Sequence, residues 1–286
     1  MTDHTQTGTA RGGGARGGGG RPLAFLQLNC RESETTWTLL HQELIDQGYK
    51  VDVLLIQDPP KSVALGGSGI PGFRPVIAPG SSSLKPKAAI LVRDSIRFKS
   101  VRPFGSRVAA IELGGPLGSM VVLSAYIRHT SGEGLEDLRR AVSWAQGRSP
   151  RVVIGMDANG HSPLWGPEDT PTNAVGRALE ELILDHNLDV ANDPDAPPTF
   201  VSDRRAVSWI DVTLSTRSAT LSIADWQVDE DFFSGSDHRA IRFSLTHSPA
   251  RNQTFRCLDW DKVDWPHFST MVASECRTRG MLRTQD

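Results

Sequence analysis

Apolar and polar positions alternate along the chain in two distinct ways. Most apolar runs are short, rich in Val, Ile and Leu, and end in Gly, Pro, Asn, Asp or Ser, which is how strands read. These are "PLAFLQLNC", "VDVLLIQDPP", "AAILVR", "VAAIEL", "SMVVLSAYI", "RVVIGMD", "TFVS", "VSWIDVTLS", "TLSIADWQV" and "RAIRFSLTH". "AAILVR", "VAAIEL" and "SMVVLSAYI" read as strands with hairpin-like connections, and residues 61–86 as loops around one short strand. The second kind follows the helical period. Trp37, Leu40, Leu44 and Ile45 share one face between Ser33, a candidate N-cap, and Gly48, a candidate C-terminal stop. "EGLEDLRRAVSWAQ" is amphipathic, and "NAVGRALEELILDHN" gathers Ala178, Leu179, Leu182 and Ile183 on an inner face. Strands outnumber helices and do not alternate with them strictly. The expected class is therefore α/β, with two packed, mostly antiparallel sheets and helices outside.

Composition narrows this modestly. The chain has 286 residues, enough for one large domain with a sizeable core. Its 31 Lys+Arg nearly balance 33 Asp+Glu, for a net charge of −2. A nucleic-acid partner would thus need local basic patches rather than global attraction. Cys30, Cys257 and Cys276 stand far apart without zinc-ligand spacing, a pattern suited to a reducing compartment. No run approaches a membrane-spanning length, so no membrane partner is expected. Residues 1–21 are Gly/Arg-rich and lack the apolar core of a signal peptide, so they read as a disordered leader. The expected folded domain is 22–247, followed by a segment 248–286 that reads as an appended helical stretch.

The chemistry sits where the apolar runs stop. Asn29, Asp58, Tyr126, Asp157 and Asn159 each follow a strand-like run; Asp211 lies within "SWIDVT", and Asp237 and His238 within "SGSDHRAI". Strand ends of a two-sheet sandwich meet at one rim. Residues two apart on a strand share a face, which would aim Asp157 and Asn159 the same way. Asp58 and Asp237 are hard oxygen donors suited to magnesium, which takes few protein carboxylates. A His beside carboxylates suits proton transfer, and amide and phenol donors suit a phosphoryl oxygen. Together they point to metal-assisted phosphodiester hydrolysis.

The ordered series "QLN…QDP…SAY…GMDAN…SWID…SDH" resembles the endonuclease/exonuclease/phosphatase superfamily, whose fold is a DNase I-like four-layer α/β sandwich. More narrowly, "DANGHSPLWG", "NAVGRALEELILDHNLDVAN", "PPTFVS" and "DHRAI" look like the endonuclease domain of a non-LTR (LINE-type) retrotransposon. "FRCLDWDKVDWPHFSTMV" resembles the Trp-rich connector that precedes the reverse transcriptase in such polyproteins, so a C-terminal reverse transcriptase is an expected partner.

The resemblance implies roles residue by residue. Asp58 falls on the metal-binding carboxylate, where the family usually has Glu, and Asp237 is the second metal candidate. The metal would be Mg2+, with Mn2+ as an alternative. Asp157 would position or deprotonate the attacking water, and Asn159, Asn29 and Tyr126 would meet the phosphate. His238 would stand beside that phosphate, oriented by Asp211. Arg31 falls where many relatives carry a polar ligand. Thr199 and the hairpin arginines Arg204 and Arg205 are implied substrate contacts, whereas His161 and Trp165 read as loop builders. The implied activity is nicking of double-stranded DNA, leaving a 3′-hydroxyl that primes reverse transcription of the element RNA in the nucleus. The alternatives are a phosphoesterase acting on abasic DNA or another phosphodiester, and a catalytically decayed DNA-binding module.

Overall fold

The computed structural model describes residues 21–246, except 47, 49, 65–68, 81–84, 101–103, 115–117 and 221, and beyond them Pro266 and Thr270. The chain divides into two compact units, Met1–Gln253 and Thr254–Asp286. The Gly/Arg-rich residues 1–20 and nearly all of the expected connector lie outside the described residues. Among the described residues no helix is long and apolar enough to cross a membrane.

The elements run in the order β1 (Leu23–Asn29), α1 (Glu34–Asp46), β2 (Val53–Gln57), α2 (Lys61–Ala64), β3 (Phe73–Ile77), β4 (Ala88–Arg93) and β5 (Phe98–Ser100). There follow β6 (Val108–Leu113), β7 (Met120–Tyr126), α3 (Leu135–Gln146), β8 (Val152–Asp157), α4 (Ala174–Asp185) and β9 (Leu188–Val190). The last are β10 (Phe200–Val201), β11 (Val207–Ser208), β12 (Asp211–Thr216), α5 (Arg217–Thr220), β13 (Ile223–Asp229) and β14 (Ala240–Leu245).

Two six-stranded sheets result, ordered β13-β14-β1-β2-β4-β3 and β5-β6-β7-β8-β12-β9, with β10 and β11 as a separate hairpin. Each sheet carries one parallel pair, β1 with β2 and β7 with β8; the other pairings are antiparallel. A parallel pair needs a crossover, and α1 and α3 supply the two crossovers. The sheets are mixed, each a β-α-β unit flanked by antiparallel strands.

Alternation along the strands sorts the side chains into three cores. Val53 and Leu55 of β2 face the other sheet, with Phe25, Val122, Val153 and Phe243. Leu54 and Ile56 face the other way, onto Trp37 and Leu40 of α1. Val121 and Leu123 of β7 meet Leu138 and Val142 of α3 and Leu179 and Leu182 of α4. Two sheets back to back with helices outside make the four layers that the resemblance implies.

Several local expectations are corrected. β4 does not pair with β6: it ends the first sheet's middle, and the chain crosses to the second sheet through β5. "VSWIDVTLS" is two strands, because Thr199 Oγ1 takes the backbone N–H groups of Ile210 and Asp211 between them. Ile45 is exposed, so the α1 stripe ends at Leu44. The Thr36 amide donates to Ser33 Oγ at 3.1 Å, and Gly48 adopts φ 59°, as the cap and stop signals foretold. Arg21, the first described residue, donates to the buried Asp52 at 2.7 Å.

Candidate active site

One edge of the sandwich collects the polar strand ends, for a topological reason. Asn29, Tyr126 and Asp157 are the last residues of parallel strands β1, β7 and β8, and Asp58 follows β2. Asp211 opens β12, which runs antiparallel to β8, and Asp237 and His238 precede β14, antiparallel to β1. Strand ends and strand starts therefore reach the same rim. In open α/β sheets, ligand sites lie beyond the carboxyl ends of parallel strands for the same reason. Asn29, Asp58, Tyr126, Asp157, Asn159, Asp237 and His238 line one pocket of about 300 Å³, joined by Arg31 and Glu32.

The face between the sheets turns from apolar to polar toward this rim. On β1 the series is Phe25, Gln27, Asn29, and on β8 Val153, Gly155, Asp157. Gln27 Nε2 donates to the Met156 carbonyl at 3.0 Å, and Gln57 Nε2 to Ser124 Oγ at 3.0 Å. The last rung joins the two sheets within the site: Asn29 Nδ2 donates to Asp157 Oδ2 at 2.7 Å. The Asn159 amide donates to the other oxygen, Asp157 Oδ1, at 3.1 Å. Behind them His238 Nδ1 lies 2.9 Å from Asp211 Oδ2, so its N–H donates there and Nε2 faces the pocket, 4.0 Å from Asp157 Oδ2. Ser236 ties the turn to β1, donating to the Asn29 carbonyl at 2.8 Å while its Oγ accepts the His238 amide.

The shared-face expectation for Asp157 and Asn159 is corrected. β8 stops at Asp157, and Asn159 sits beyond it with φ 48°. An Asx turn, not the strand pleat, brings the pair together. One hydrogen of the Asn159 side-chain Nδ2 goes to the Ile127 carbonyl at 2.9 Å, leaving the second for a ligand. Left-handed backbone at non-glycine residues recurs here: Arg31 and Glu32 at φ 53° and Asp58 at φ 43° line the same pocket. Strained residues of this kind gather at functional sites when surrounding structure enforces them.

Burial sets the electrostatics. It raises the Asp157 carboxyl well above the usual range; the His238 charge and the Asn29 and Asn159 hydrogen bonds only partly offset it. Burial acts to lower His238, but Asp211, then Asp157 and Asp237, outweigh it and raise the imidazole. Burial, with Asp58 and Asp157 nearby, pushes the Tyr126 hydroxyl up to about 12, which keeps it a hydrogen-bond donor. Burial also raises Asp58, against the opposing effect of Lys87. The donors fit an oxygen-preferring divalent ion. Asp58 and Asp237 share the pocket, and Asp237 Oδ1 is buried and accepts no hydrogen bond. Asp157, Asp211 and His238 form a tighter buried cluster, but the Asp211–His238 bond uses its polar atoms.

The implied substrate contacts separate. Thr199 is fully buried, does not line the pocket, and its Oγ1 accepts from the Ile210 and Asp211 amides at 3.0 and 3.1 Å, which positions Asp211. Arg204 and Arg205 are exposed at the tip of the β10–β11 hairpin, outside the pocket. This hairpin is anchored to the site: the Val201 amide donates to the Asp237 carbonyl, and Phe200 packs edge-on against His238 at 5.1 Å. Trp165 is buried and its Nε1 donates to the Gly160 carbonyl, which makes it a loop builder. The strand-end pattern missed Glu32, Lys87 and Arg107. Glu32 lines the pocket, Lys87 pairs with Asp58 at 2.8 Å, and Lys87 and Arg107 each lie 5.6 Å from the Tyr126 ring.

The family described as Endonuclease-reverse transcriptase matches residues 120–242. The Retrovirus-related Pol polyprotein from type-1 retrotransposable element R1 of Bradysia coprophila is 32% identical over 143 residues, 46% of this chain and 14% of that protein. The putative 115 kDa protein in type-1 retrotransposable element R1DM of Drosophila melanogaster is 30% identical over 148 residues, 48% of this chain and 14% of that protein. The chain thus matches only about a seventh of either relative's length. Among solved structures, the endonuclease domain of TRAS1, a telomere-specific non-LTR retrotransposon, superposes with TM-score 0.66 at 25% identity, covering 79% of this chain and 98% of that one. AP endonuclease LMAP from Leishmania major shares the fold, with TM-score 0.61 at 16% identity, covering 79% of this chain and 88% of that one. With this sandwich, this rim and these likenesses, the chain is similar to the non-LTR retrotransposon endonuclease domains and shares their DNase I-like fold.

Proposed function

We propose that the chain is a magnesium-dependent endonuclease that nicks double-stranded DNA, leaving a 5′-phosphate and a 3′-hydroxyl. That hydroxyl would prime reverse transcription of the element's RNA on chromosomal DNA in the nucleus, with the polymerase supplied by a reverse transcriptase further along the polyprotein. The observation that carries this reading is the buried line Asp211–His238–Asp157, aimed into a pocket that also holds Asp58 and Asp237.

Asp157 positions the attacking water and takes its proton. Asn29 and the Asn159 amide hold both its oxygens in place, so little reorganisation is needed as charge develops. His238, aligned by Asp211, presents Nε2 to a phosphoryl oxygen. Tyr126 and the free amide hydrogen of Asn159 donate to the same group. Asp58 and Asp237 would hold Mg2+ or Mn2+, which when bound stabilises charge on the phosphate and the leaving oxygen.

The test is conversion of supercoiled plasmid to open circle, with magnesium and with chelator. Wild type nicks in magnesium; Asp157→Ala and His238→Ala each lose at least about a hundred-fold, the scale expected for an acid–base group. A duplex bearing one abasic site is the comparison substrate. Cleavage of that duplex alone would replace this reading with an abasic-site activity, and no cleavage of either in magnesium or manganese would sink the enzymatic reading.

A further inference from the structure

The acidic side of the pocket is already paired with cations from the chain itself. Asp237 Oδ2 lies 3.1 Å from Arg31, and Asp58 Oδ1 lies 2.8 Å from Lys87 Nζ. The same ammonium sits 2.5 Å from Glu32 Oε1. The two pairs are not equivalent. The Arg31 side chain is 51% exposed and can turn into water at little cost. The Lys87 side chain is only 23% exposed and sits between two carboxylates.

The backbone fixes that placement. The Lys87 amide donates to the Ser106 carbonyl, and the Asp58 amide donates to the Lys87 carbonyl, so Lys87 and Asp58 are held side by side where β4 meets β2. The Lys87 backbone therefore stays beside Asp58, and only a turn of the side chain can carry the ammonium away. A divalent ion on Asp58 and an ammonium within hydrogen-bonding distance of the same oxygen would repel strongly in a half-buried site. One must move. Glu32 offers the ammonium a second partner on the pocket's edge, which lowers the cost of moving. Among the described residues Lys85 pairs with Glu32, at 3.1 Å, and is 65% exposed.

We propose that Lys87 is a built-in counter-ion of the cation site: it neutralises Asp58 until a divalent ion displaces it, and Glu32 keeps the displaced ammonium. This rests on the metal-dependent reading of the pocket. It gives the site a defined resting state in which Asp58 is neutralised rather than repelled by Glu32. It also makes metal affinity a property of the Lys87 contact as much as of the carboxylates.

The experiment is Mn2+ binding, followed by electron paramagnetic resonance, to wild type, Lys87→Met and Lys85→Met, each checked by thermal melting. Lys87→Met is expected to bind Mn2+ at least about ten-fold tighter, and Lys85→Met within about three-fold of wild type, since its charge is solvent-screened. On wild type alone, acetylation of Lys87 followed by mass spectrometry is expected to speed up as Mn2+ is added, while Lys85 stays constant. Equal tightening in both variants, or wild-type binding with no change in Lys87→Met or in Lys87 labelling, would overturn the displacement. Absence of Mn2+ binding to wild type and Lys87→Met alike would overturn the metal reading itself.

Discussion

Asp157 is the residue on which most of the site's geometry converges, and its two oxygens are held from different directions. Asn29 reaches it across the sheets, and the Asn159 amide closes on it from the following turn. Its neighbour in function, Asp211, is held more subtly, through Thr199. The Thr199 hydroxyl takes two buried amides that precede and open β12. Replacing it by Val keeps the shape and leaves both donors without an acceptor, which costs about 1–3 kcal/mol. Thr199→Val is therefore expected to lower the melting temperature and kcat together. KM should stay near wild type, because the side chain does not face the pocket, and Thr199→Ser should restore activity. A raised KM with unchanged kcat would return Thr199 to the role of substrate contact. Most of these residues were legible in the sequence, since each stands where an apolar run stops. Lys87, Glu32 and Arg107 were not. Glu32 sits in a loop that the turn at Arg31–Glu32 brings to the rim, and Lys87 stands just before its strand, held beside Asp58 by backbone pairing.

The strands and helices with clear periodicity were equally legible: β1, β2, β7, β8 and β14, with α1, α3 and α4, fall where the pattern puts them. The short elements β5 and β9 escaped it, because three side chains carry no period and their pairing is decided by the neighbouring strand. Sheet membership escaped as well. β4 and β6 read alike, yet they lie in opposite sheets, and nothing in their residues distinguishes a hairpin from a crossover. The β10–β11 hairpin is the element whose role is most open to measurement. Its tip carries exposed Arg204 and Arg205, while its base is bonded to the Asp237–His238 turn. If both arginines meet DNA phosphates, Arg204→Ala with Arg205→Ala should reduce the slope of log binding constant against log salt by roughly 2, at about 0.9 per phosphate. Melting temperature should not change, since both side chains are exposed. An unaltered salt slope would leave the hairpin as a cover for His238.

The molecule as a whole places its chemistry across the seam between two sheets, not within either one. Asn29 belongs to the first sheet, and Asp157 and Asp211 to the second. Sheet separation near the rim therefore sets the site. Gly155 is a point of close approach: a Cβ there would lie 2.5 Å from Leu55 Cδ1 and 2.6 Å from Gln27 Oε1. Gly155→Ala must displace the Leu55 and Gln27 side chains that lie between the sheets next to the Asn29–Asp157 bond; overpacking of this size costs about 1–3 kcal/mol. Leu40→Ala offers a matched perturbation, because Leu40 is fully buried in the core beneath α1, on the other face of the first sheet. It leaves a cavity costing about 2–5 kcal/mol. Both variants should melt earlier than wild type. At a temperature where both remain folded, Gly155→Ala is expected to lose nicking rate by about ten-fold or more, whereas Leu40→Ala keeps most of it. The reason is energetic as well as geometric: roughly 1.4 kcal/mol of lost transition-state stabilisation is ten-fold in rate, and a misplaced Asn29–Asp157 bond can lose that much. Equal rate loss in the two variants would mean that stability, not the spacing of the sheets, limits the reaction.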